Sequence, residues 1–156
     1  MMTKDPGRDR KPDDPGLDRI VRAAIKHDFP VNVLFWGNVE AGTTLIDRHP
    51  DARFIIDHLA ILQPRTPPAP PQPWADLPKV LDLAKRKNAV IKVSGACTLS
   101  QKPYPFPDIW DPLARLFDAW GGPKRWISIP GAGHNDLGAQ REFWAPISQF
   151  LAERAR

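Results

Sequence analysis

The run FIIDHLAIL, residues 54–62, is apolar except for Asp57 and His58. An unpaired carboxylate and imidazole are costly inside a core. The pair therefore marks either a buried strand that ends by delivering both side chains to a rim, or a core in which each is hydrogen-bonded. At a rim the chemistry is definite: a neutral imidazole exchanges protons near neutral pH and ligates metals. Lys92 and Ser94 alternate in KVSG, so they share one face of an extended segment. A lysine on an interior face needs a carboxylate partner or an acidic ligand; on an open sheet it snorkels to the edge. Trp36 ends the run VNVLFW and can stack on a ligand. His134 and Asp136 stand two apart in the loop GAGHND, which is either a solvated glycine-rich loop or a pair that meets His58 across the rim as a weak His-Asp-His metal site. His27 and His49 fall at helix ends, where the helix dipole suits them, and have no assigned role.

An alternation of helices and strands must position these groups. Leu17, Ile20, Val21, Ala24 and Ile25 recur at helical spacing behind Pro15 and Gly16. VNVLFW (31–36) reads as a buried strand, followed by a helix over about 39–48. ARFIIDH (52–58) is a second strand and WADLPKVLDLAKRK (74–87) a helix with Pro78 in its first turn. AVIKVSG (89–95) is a third strand, and DIWDPLARLFDAW (108–120) a helix stopped by Gly121 and Gly122. RWISIP (125–130) is a fourth strand, and REFWAPISQFLAERA (141–155) a final helix that Pro146 kinks or starts late. The fold class is α/β, with parallel strands alternating with helices, as half of a (β/α)8 barrel or a small open sheet. Either way the strand C-termini share one edge, and Asp57, His58, Ser94 and the GAGHND loop fall there.

The 156 residues suit about one domain, and a net charge of +4 without a block of like charges argues against nucleic acid as a partner. Cys97 is the only cysteine, which excludes an internal disulfide and fits the cytoplasm. No apolar run approaches the roughly 20 residues of a membrane span, so neither membrane insertion nor secretion is expected. Of the 19 prolines, six cluster in residues 63–73, which should run extended as a long loop within one domain. The expected organisation is a flexible segment over 1–14, a partial barrel over 15–121, and a strand-loop-helix tail over 122–156 packed on the same domain.

Four segments, FPVNVLFWG, HPDARFIIDHLAIL, PWADLPKVLDLAKRKNAVIKVSGA and YPFPDIWDPLARLFDAWG, together resemble the amidohydrolase superfamily in its branch of metal-dependent lactonases and decarboxylases, over about residues 16–120. The resemblance implies a (β/α)8 barrel, of which these are roughly the fifth to seventh strands. It implies a divalent metal (zinc or manganese), with His58 as a metal-binding or substrate-facing residue and Asp57 orienting its surroundings. It also implies a metal-activated water acting on a lactone or related small carboxylated substrate. The family's first-strand H-x-H is absent from the chain. Beyond Gly121 the sequence instead resembles the C-terminus of an α/β-hydrolase, which implies His134 as a catalytic base, although no G-x-S-x-G nucleophile elbow is present. The combination implies a truncated or chimeric hydrolase that uses His58, Asp57 and His134, with Trp36, Lys92 and Ser94 toward the substrate and His58, His134 and Asp136 toward a metal. An esterase using His134 and a non-catalytic remnant are the alternatives. Unpaired strand edges imply a homodimer.

Overall fold

The computed structural model describes residues 10–121 and 141–154. The chain divides into two units, 1–121 and 122–156. In the first, α1 (Pro15–Lys26), β1 (Val31–Val33), α2 (Val39–Arg48), β2 (Phe54–Ile56), α3 (Leu77–Leu83), β3 (Ala89–Ile91) and α4 (Trp110–Trp120) alternate as expected. In the second, α5 (Arg141–Arg154) starts without delay and continues through Pro146. The anticipated fourth strand, together with His134 and Asp136, lies outside the described residues. No helix among the described residues is long and apolar enough to cross a membrane.

The three strands pair in parallel in the order β1-β2-β3, each beside its successor in the chain, as in a sector of a barrel. They are shorter than the apolar runs that announce them. Beyond the three paired residues the backbone leaves the ladder and reaches positive φ at Trp36 and Gly37 after β1 and at His58 after β2. Register aligns Val31, Phe54 and Ala89, then Val33, Ile56 and Ile91, on the face turned to the core. Phe54 and Ile56 are buried there with Phe35, Leu45, Ile46, Val80, Leu83 and Leu116. Each such side chain contributes about 1.5–3 kcal/mol through burial. The intervening row, Asn32, Ile55 and Val90, occupies the other face, and Val90 is 56% exposed. In a closed barrel that row points inward.

Gly42 of α2 lies directly on the Phe35 ring, and a Cβ built at this position would stand 2.4 Å from Phe35 Cδ2. The ring is fully buried and has nowhere to go. Gly42→Ala is therefore expected to destabilise the unit by about 1–3 kcal/mol, despite alanine's better helix propensity. Urea unfolding with an unchanged slope and a lower midpoint is the expected result.

Helix α1 departs from the expected burial pattern. Of its apolar stripe only Val21 is fully buried, whereas Ile20 is 60% and Ile25 40% exposed, because no described element lies over that side. Polar contacts hold the helix instead. Asp14 caps its N-terminus, accepting from the Gly16 and Leu17 N–H groups. Asp18 accepts from Arg48 at 2.8 Å and contacts His49 Nε2 at 2.9 Å, both at the end of α2. The His49 contact, with Arg48 beside it, holds the Asp18 carboxyl below its usual range against the opposing effect of desolvation. A carboxyl whose pKa is lower folded than unfolded stabilises the fold above the ordinary carboxylate pKa, and that contribution is lost as pH falls through the folded value. The melting temperature should therefore be flat from neutrality to about pH 5 and fall below it. Asp18→Asn should melt lower at neutral pH and lose less on acidification, as thermal melts across pH would show.

Candidate active site

The shared strand C-termini bring four elements of the expected site together. Asp57 and His58 follow β2 directly, Lys92 follows β3, Ser94 lies two residues on, and Trp36 is three residues past β1. His58 is half-buried, and its Nδ1 lies 3.1 Å from Ser94 Oγ. Among the described residues its Nε2 has no hydrogen-bond partner. Lys92 Nζ stands 2.7 Å from Asp57 Oδ1. That oxygen is buried and has no hydrogen-bonding donor, so the contact is an ion pair by proximity, with the ammonium off the line that a hydrogen bond needs. The lysine side chain is 52% exposed and the aspartate 17%. Lys92 thus has its carboxylate partner and its access to solvent together.

Backbone strain aims His58. His58, Leu59 and Ala60 have φ of 52°, 61° and 58°. A non-glycine residue in such a region costs on the order of 1–3 kcal/mol and persists only where its surroundings over-determine it. Here Leu59 is fully buried, and its N–H donates to Lys92 O at 3.2 Å. The Gly37 N–H donates to Ala60 O at 2.9 Å. The loops after β1 and β3 therefore clamp the turn from both sides.

Two residues that composition did not single out complete the site. Gln63 Nε2 donates to Ser94 O at 2.7 Å and to His58 O at 3.3 Å, bridging the two loops that carry the dyad. Its own carbonyl accepts from Trp36 Nε1 at 3.1 Å. The Arg65 guanidinium lies 5.3 Å from the Trp36 ring centroid, a cation–π contact, so that face of the indole is already taken. Gln63 is the first polar residue after the apolar run, which is the only signal it carried. Gly95, at φ +73°, lets Gln63 approach: a Cβ there would lie 2.0 Å from Gln63 Oε1.

The described side chains do not by themselves make a divalent-metal site at this rim. Among the described residues no three His, Cys, Asp or Glu side chains converge. His58 offers one nitrogen beyond its Ser94 contact, and the neighbouring carboxylate, Asp57, faces an ammonium that would repel a cation. His134 and Asp136, the other expected ligands, lie outside the described residues.

The profile of the family described as Amidohydrolase matches residues 2–127. Among solved structures, Amidohydrolase 2 from Bifidobacterium longum subsp. infantis is 24% identical, over 69% of this chain and 37% of that one, with a TM-score of 0.45. The chain thus spans little more than a third of that protein's length. No curated protein matches.

Proposed function

This chain belongs to the amidohydrolase family, and on that premise we propose that it binds a small carboxylated lactone or related acid at the strand C-termini and hydrolyses it with His58 as the proton-transfer group. The observation that carries the reading is the contact of 3.1 Å between His58 Nδ1 and Ser94 Oγ, beside the Asp57–Lys92 pair. With Nδ1 protonated and donating to Ser94, Nε2 holds a lone pair toward the rim. A water proton passes to Nε2 as the water oxygen bonds to the lactone carbonyl carbon. The ring C–O bond then breaks, and the proton returns to the departing alkoxide, leaving a hydroxy acid. Lys92 has donors to spare beyond Asp57 and holds the substrate carboxylate. These steps use only side chains described at the rim.

The test is hydrolysis of paired lactones, carboxylated and uncarboxylated, by chelator-treated protein in a pH-stat. Turnover with a preference for the carboxylated member is expected. Lys92→Gln should raise KM for that member by roughly 10–100-fold, the equivalent of a hydrogen bond to a charged group. Turnover that appears only when metal is restored would refute the reading, and labelling of Ser94 by a serine-reactive phosphonate would favour a nucleophilic serine instead. The reading includes a second copy of the chain as partner. The exposed apolar Val90, on the face a barrel keeps inside, supports this; a monomer by light scattering at micromolar concentration would contradict it.

A further inference from the structure

A cleft of about 500 Å³ opens between the proline-rich segment after β2 and the segment after β3. That volume lies within the roughly 300–1,000 Å³ typical of small-molecule sites. None of Asp57, His58, Lys92 or Ser94 lines it. Its walls are fixed to each other: Gln101 Nε2 donates to Pro70 O at 3.2 Å and to Pro71 O at 3.1 Å. One wall carries Arg65 and the other Lys102, with Pro67 and Phe106 supplying apolar surface and Cys97 at the lining. Neither Arg65 nor Lys102 has an ion-pair partner among the described residues, and no carboxylate lines the cleft. The nearby Asp108 is committed elsewhere, accepting from Ser100 Oγ and from the Gln101 N–H at 2.8 Å. The Ser100 bond first, with the Gln101 N–H and the nearby Lys102 charge, holds its carboxyl below the usual range against desolvation.

We propose that this cleft binds a small aryl carboxylate, its ring between the prolines and Phe106 and its acid group held by Arg65 and Lys102. Two cations without an ion-pair partner among the described residues, beside apolar walls, select a ligand with an anionic end and a flat apolar body. A bare inorganic anion would leave the apolar surface wet. The cleft shares Arg65 with the Trp36 contact at the rim, so occupancy would be felt there, while binding does not depend on hydrolysis.

Cys97 makes the test direct, since it is the chain's only cysteine and is exposed. Its reaction with 5,5′-dithiobis(2-nitrobenzoate), an aryl carboxylate disulfide, is compared with that of neutral 4,4′-dithiodipyridine in the full-length chain. The anionic reagent should gain about tenfold or more over the neutral one, relative to a free cysteine peptide, as steering by a cleft lined by two cations and no carboxylate predicts. Benzoate should slow both reagents, at constant ionic strength, where inorganic phosphate does not. Lys102→Gln should remove most of the gain while leaving the neutral reagent's rate within about twofold, which also reports that the wall has kept its form. An equal ratio in wild type and Lys102→Gln, or no protection by benzoate, would overturn the proposal, and so would equal protection by phosphate.

Discussion

Replacing His58 by asparagine should lower kcat for lactone hydrolysis by roughly 10²–10⁴-fold, the usual contribution of a positioned acid–base group. Asparagine is the informative substitute. It tolerates the left-handed backbone conformation that His58 adopts at φ 52°, so the turn is kept while the proton carrier is lost. The Gln63 bridge uses the carbonyl of residue 58 and not its ring, so it also survives. KM should change little, because the carboxylate is held by Lys92, and the pH dependence of kcat should flatten. A fall in KM-dependent terms alone, or a pH profile like that of the wild type, would assign the imidazole to binding or to structure. Ser94→Ala should act in the same direction but more weakly, since it frees the ring without removing it.

The second large effect is expected at Gly95, which touches no substrate in this account. An alanine there would carry about 1–2 kcal/mol of left-handed strain. Its Cβ would drive Gln63 Oε1 away from a separation of 2.0 Å. The Gln63 amide then loses its bonds to Ser94 O and His58 O, each worth about 0.5–1.5 kcal/mol. The sum is a destabilisation of roughly 2–5 kcal/mol, together with loss of the Ser94–His58 geometry and most of the activity. Gln63→Ala separates the two causes, because it breaks the bridge without straining residue 95. It should cost about 1–3 kcal/mol and a comparable share of activity. Chemical denaturation and kcat measured on both variants would check the account; a Gly95→Ala protein as stable and active as the wild type would contradict it.

The legible parts of this molecule are those that local chemistry decides. The helix expected over about 39–48 is α2, Val39–Arg48, because apolar spacing and a following His-Pro both bear on its limits. The placement of Asp57 and His58 at the end of a strand was readable from their polarity within an apolar run. The strands' true lengths were not, because the ladder ends at Val33 and Ile56 and the backbone then reaches positive φ at Trp36 and His58, which nothing in a list of side chains announces for a tryptophan or a histidine. The helix expected over 74–87 contracts to α3, Leu77–Leu83, and the stripe on α1 stays largely exposed because burial depends on what lies opposite. Gln63 and Arg65 sit in a proline-rich loop whose path is set by partners as far as 31 residues away, so composition identified the loop and missed the two side chains that contact the rim.

The central claim is that the His58 imidazole, held by Ser94, faces a ligand at the strand C-termini. Imidazole ¹H–¹⁵N spectra test it most directly, since the chain has four histidines and His58→Asn identifies one of them. The account predicts that the Nδ1 resonance of His58 shifts in Ser94→Ala, and that its Nε2 resonance moves on addition of a carboxylated lactone while those of the other histidines do not. A His58 ring unmoved by both the Ser94 substitution and the lactone would contradict it.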